Sequence, residues 1–258
     1  DVAGLTTAQA AALRSDQVAS LSTDQLHAIT TADVRALTTA DLRALGTDQL
    51  NSLASDQLRA FTSAQVAGLT TDEVAGLSTA NLNVLTTDEL ARFTTAQVHA
   101  FTTDQLHNLT TANLDALGTG QFAVLSSDQV GALTTAQLHN LTTTDLRAVT
   151  TAALAGLNSD QVHALTTDEV AGLTTAQVAA LSTDQLTGLS TGDVAGLTTA
   201  QAAALRSDQV ASLSTDQLHA ITTADVRALT TADLRALGTD QLNSLASDQL
   251  RAFTSAQV

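Results

Sequence analysis

Apolar residues return along this chain at two fixed places in every eight residues. Numbering the octad so that Thr38 is position one and Leu45 is position eight, position five is Leu or Val (Phe122, Ala10 and its copy Ala202 are variants) and position eight is Leu, Ile, Phe or Val. Between them the polar positions are just as regular. Position two is Ser or Thr in every copy, and position four is Gln, Asp, Glu or Asn, with Ala153 the exception. Position seven is mostly Ala or Gly, and position six varies most. The phrase runs without insertion or deletion from residue 6 to residue 257, through about 31 copies. A uniform short period means one structural unit stacked on itself rather than a globular domain with a unique cleft.

Strict alternation is missing, so a half-buried strand fits poorly. One continuous helix fails as well. At about 100° per residue, eight residues advance the apolar stripe by about 80°, and it would spiral around the helix without a partner. The pattern predicts an all-α solenoid of short capped helices, one per octad.

Two cap registers compete. With the cap at position two, the Ser or Thr hydroxyl accepts from an early backbone N–H, and acids at three and four fall in the first turn, where the helix dipole favours them. Arg or His at position six then lies near the opposite, negative end. With the cap at position one, Gln or Glu at position four completes a capping box and the residue at eight staples the next helix. Arg14, Gly46 and Ala54 occupy position one and weaken that version, and Gly46, Gly118 and Asn158 read as helix-ending residues. The expectation is therefore a cap at position two and a helix of about six residues.

Positions five and eight share a face, and a small residue at seven lets a neighbouring backbone approach. So short a helix is unstable alone, which makes the array cooperative along its length. Two octads per coil give the simplest packing, antiparallel neighbours joined by a tight turn; three octads is the alternative. Two per coil, with about 10 Å between stacked helices, would make a rod on the order of 150 Å.

A longer period lies above the octad. Residues 1–66 recur unchanged as 193–258, a repeat of 192 residues or 24 octads. The chain reads as one continuous array over 1–258, with a super-repeat over 1–192 restarting at 193–258, and as a window on something longer.

Composition narrows the chemistry. Trp, Tyr, Met, Pro and Cys are absent, and all 10 basic residues are Arg. The net charge of −16 is spread evenly. No basic patch or aromatic platform invites nucleic acid, and an anionic membrane surface would repel the chain. No apolar run approaches the roughly 20 residues that span a bilayer. Without cysteine there are no disulfides or thiolate metal sites.

No residue is singled out for catalysis, cofactor binding or metal binding. The six His (His27, His99, His107, His139, His163 and His219) all fall on position six and read as exposed residues near a helix end. His99 and His107 would face one side only if successive octads align. The acids at three and four could form a carboxylate ladder, but calcium wants six to eight oxygens from tightly turned loops, and capping already explains these acids. Acid pairs for glycoside cleavage need a cleft and two different environments. Ser and Thr repeated some thirty times are structural rather than nucleophilic; exposed Thr would permit O-glycans. Gly118 and Gly120 mark a soft joint. The expectation is no enzyme and no cofactor.

The phrase Leu-Thr-Thr-Ala-Gln-Val-Ala-Ala-Leu, at Leu173 to Leu181, resembles tracts in very large repetitive bacterial proteins of the type I export class, some described as adhesins or haem-utilisation proteins. The resemblance covers nearly the whole chain and transfers no catalytic residue. It implies a Gram-negative source, an extracellular or cell-surface place, and a role by length: a structural stalk, filament or biofilm-matrix component that self-associates into a homo-oligomeric fibre. The alternative is a solenoid adhesion module that recognises a glycan or peptide.

Overall fold

The computed structural model describes residues 2–257. Among them are a 3-10 turn at Val2–Gly4 and 31 α-helices of four to six residues, from α1 (Thr7–Ala10) to α31 (Ser247–Ala252), one per octad. The described residues contain no strand. The expected all-α solenoid of short helices is the observed fold.

The cap register differs from the favoured expectation. The N-cap is position one, and position two is the first helical residue. Thr38, before α5 (Thr39–Arg43), has extended backbone with φ −75° and ψ 162°. Its hydroxyl accepts from the Asp41 N–H at 3.2 Å, and the Asp41 carboxylate accepts from the Thr38 N–H at 2.8 Å. This reciprocal box satisfies two orphan donors at once, which a cap at position two could not do. Where position one lacks a suitable hydroxyl, half of the box survives. Gln17, Gln49 and Gln57 accept from the N–H groups of Arg14, Gly46 and Ala54 at 2.8–2.9 Å. Gly46 and Gly118 therefore open helices rather than end them.

Three octads, not two, make one coil. Within each unit the pairs that pack lie three helices apart. Thus α2 (Ser15–Ala19) lies on α5, and α5 lies on α8 (Ser63–Gly68). Likewise α20 (Ser159–His163) packs on α23 (Thr183–Gly188), and α26 (Ser207–Ser212) on α29 (Thr231–Ala236). The backbone explains the correction. A tight reversal between antiparallel helices commonly uses a left-handed residue after the helix, and among the described residues none has positive φ. Instead the links pair two extended residues, as at Leu69 (φ −61°, ψ 142°) and Thr70 (φ −74°, ψ 161°). Such a link makes a corner, and three corners close the coil.

Helix–helix packing divides the chain into two units, one up to Val124 and one from Leu125. Each is built in the same way. Positions five and eight fill the interior, as with Leu42 and Leu45 in the first unit and Val178 and Leu181 in the second. Burial of these side chains is the main favourable term, at about 1.5–3 kcal/mol each. Small residues at position seven admit the neighbouring coil, as expected. A Cβ on Gly156 would stand 1.9 Å from the Ser127 carbonyl oxygen, and one on Gly188 2.6 Å from that of Ser159. At Gly120, by contrast, a Cβ meets nothing within 4 Å. Because a coil is 24 residues, the 192-residue period is a whole multiple of it. A residue and its copy thus take the same place in the three-octad cycle.

Candidate functional site

Every buried polar side chain among the described residues sits at position four. The octad explains why. Position four is the third helical residue, close to the corner of its own coil and against the corner of the coil before. A glutamine there works in both directions. Gln57 Oε1 accepts from the Ala54 N–H, and its Nε2 donates to the Leu26 and Ile29 carbonyls of the preceding coil, each at 2.7 Å. Gln97 and Gln105 repeat this in the first unit, as do Gln177, Gln185 and Gln209 in the second. All 20 Gln of the chain occupy position four. The amide is preferred over an acid because it alone supplies an acceptor and a donor together.

Replacements at position four bring other partners. Asp41, Asp193 and Asp233 take one carboxylate oxygen to the N-cap and offer the other to a position-two hydroxyl of the preceding coil. Those hydroxyls belong to Ser15, Thr167 and Ser207, at 3.0, 2.9 and 2.7 Å. Asn81 and Asn113 leave the N–H of their own N-cap to another side chain. Each is matched by an Asn at position six of the coil before. Asn51 Oδ1 accepts from the Ser78 N–H at 2.7 Å and from Asn81 Nδ2 at 3.2 Å, and Asn83 does the same for Thr110 and Asn113. Ala153 keeps only the bond from its N–H to the Thr150 hydroxyl.

Position six makes a second link, in the opposite direction along the coil stack. Arg43 Nε donates to the Gly68 carbonyl at 2.5 Å, Arg59 Nε to Val84 at 2.9 Å, and Asn51 Nδ2 to Gly76 at 2.8 Å. His27, His99, His163 and His219 bond to the carbonyls of Ser52, Val124, Gly188 and Ser244. These His are exposed, as expected, but they are partnered. The signal lay in the polar side chains found there: apart from Asp115 and Thr187 they are His, Arg and Asn, all donors, and position six holds seven of the ten Arg.

The His do not converge. His99 and His107 are one octad apart, so with three octads per coil they lie on different sides of it. His139 and His163 are 24 residues apart and fall on one side of successive coils. Among the described residues no three His, Cys, Asp or Glu side chains gather as metal ligands. Shallow grooves open between stacked helices, one of about 410 Å³ lined by Thr95, Ala96, His99 and Val124 and one of about 360 Å³ around Thr135, His139 and Ala164. Two exposed ion pairs, Arg14–Asp16 at 2.9 Å and Arg206–Asp208 at 3.0 Å, lie within single octads. The guanidinium bond holds both carboxyls below the usual aspartate range. No helix among the described residues is long and apolar enough to cross a membrane.

The candidate site is thus a surface and a seam repeated coil after coil. No curated protein matches the sequence. The ALTTAQ repeat matches it six times, at residues 26–63, 74–111, 109–143, 140–175, 189–223 and 218–255, which together take in most of the chain. The chain belongs to the ALTTAQ repeat family.

Proposed function

We propose that this protein is a structural element, a helical solenoid that serves as a stalk or filament at or outside a bacterial cell surface and acts by its length. One observation carries the reading: within each unit the same two kinds of link recur from coil to coil. Gln at position four reaches back to the preceding coil, and Arg, His or Asn at position six, where one stands there, reaches forward. Equivalent steps are what an array needs to grow along an axis. Equivalence is also the opposite of what catalysis needs, which is a residue made unlike its neighbours; on this reading the protein is not an enzyme. The acidic, cysteine-free chain suits export and an oxidising exterior. Repeated identical faces favour regular side-by-side contact, so self-association into fibres belongs to the proposal.

Electron microscopy of the purified native array tests it. The expected image is an extended particle growing by about 10 Å for every coil. Compact, isolated particles from a long array would overturn the reading. Retention on a glycan or peptide library, in place of self-association, would favour the adhesion module.

A further inference from the structure

Asn stands at position four in two octads, at Asn81 and Asn113, and each has an Asn at position six 30 residues earlier, Asn51 and Asn83. Position six holds one other Asn, Asn243, and the place 30 residues after it lies past Val258. Wherever both places fall within the chain, the two kinds of Asn therefore occur together.

Each earlier Asn joins three groups. Asn51 Nδ2 donates forward to the Gly76 carbonyl at 2.8 Å, while its Oδ1 accepts from the Ser78 N–H at 2.7 Å and from Asn81 Nδ2 at 3.2 Å. Asn83 does the same with the Asn108 carbonyl, the Thr110 N–H and Asn113 Nδ2, at 2.6, 2.9 and 3.3 Å. Asn81 and Asn83 both belong to α10 (Thr79–Val84), so the two pairs tie α6 (Thr47–Ser52), α10 and α14 (Thr111–Asp115) into one ladder inside the first unit.

We propose that this ladder is a recognition element that sets the register in which the coils of the first unit stack. The common phrase cannot set it. Every octad offers apolar residues at five and eight, and the glutamine staple ends on backbone carbonyls that every octad has. The Arg and His of position six also end on carbonyls, and the Asp of position four on hydroxyls found at position two throughout. An octad adds little net stability, because burial and lost entropy nearly cancel. Looping one octad out, or exchanging coils between two chains, is therefore cheap unless a side chain reads its partner. The Asn pairs do read it. A slip of one octad brings Arg43 or Arg59 opposite Asn81 in place of Asn51, and Ala75 or Ala91 opposite Asn113 in place of Asn83. Arg carries donors alone and Ala carries neither, so the Ser78 and Thr110 N–H groups and both Asn amides lose their acceptor. An Asn in the seam of a coiled coil fixes register by the same penalty. The inference does not depend on the proposed stalk function.

Spin labels on Asp48→Cys and Ala112→Cys, exposed residues of α6 and α14 in a chain with no other cysteine, read the register of the full chain as a distance. The parent should give one distance. N51R/N83R keeps a forward donor, since Arg43 and Arg59 make that bond, but removes the acceptor. Its Tm should fall by about 3 °C or more. Adding N81Q and N113Q supplies the ordinary glutamine staple, so Tm should return at least to the parent's value. The distance should then split into two or more, because nothing marks the pairing. An unchanged Tm in N51R/N83R would mean that no recognition was lost, and a single parental distance in the four-fold variant would mean that register is set elsewhere. Either result, or a Tm that glutamine does not restore, overturns the proposal.

Discussion

Residues 2–66 and 194–257 share one sequence and differ in what surrounds them. In the second segment a coil precedes: Gln201, Gln209 and Gln217 are buried and reach back to the carbonyls of Leu173, Leu181 and Leu189. Their counterparts Gln9, Gln17 and Gln25 are exposed and make only their own N-cap bonds. The helices respond, since α1 to α3 span four, five and five residues and their copies five, six and six. At the other end the contrast reverses. Leu50 and Leu58 lie under a following coil and are 0 % and 2 % exposed, whereas Leu242 and Leu250 are 38 % and 46 % exposed. Identical octads therefore owe their order to their neighbours, as a one-dimensional array requires.

The largest expected effect separates the two leucines. Leu58→Ala should destabilise the full chain by about 2–5 kcal/mol in denaturant titration, and Leu250→Ala by well under half of that. Equal losses would mean that burial by the next coil is not what stabilises the leucine. A smaller difference should separate the glutamines. Gln209→Ala leaves the Val178 and Leu181 carbonyls without their side-chain donor and should cost about 1–3 kcal/mol, while Gln17→Ala removes only half of a capping box, about 0.5–1 kcal/mol.

The smallest concerns the two ion pairs. Arg14 holds Asp16, and Arg206 holds Asp208, below the ordinary aspartate range. A lowered folded value means that the contribution is present above the unfolded value of about 3.9 and is lost as pH falls through the folded one. Both carboxylates are exposed, so the effect on stability should stay near the limit of detection. Carboxyl titration by NMR should show both returning to ordinary values in Arg14→Ala and Arg206→Ala. The second substitution should cost more stability, because Arg206 also donates to the Ala179 and Leu181 carbonyls of the preceding coil.

Much of this architecture could be read from the octad. The apolar period placed positions five and eight in the interior, and the small residues at seven announced close approach, as Gly156 and Gly188 bear out. The octad conceals the cap register, because Arg14, Gly46 and Ala54 argue against a side-chain cap at position one. The glutamine three residues on caps the backbone whatever stands there. The role of position four was half visible: its acids suited the first turn, but only the preference for amide over acid hinted at a donor directed elsewhere. Position six reads as a variable surface because Ala alternates there with His, Arg and Asn; only the recurrence of donors among its polar residues points to a partner.

The eight-residue rhythm by itself determined that helices form, where each breaks and which side chains turn inward, because hydrophobic period and capping chemistry are local. How many octads make a coil was decided by the tertiary structure alone. That number depends on the angle at each corner, set by two extended residues at every link. The partners of Gln57, Arg43 and Asn51 lie 25 to 31 residues away in the chain. Only closure of the coil in three dimensions brings them within reach.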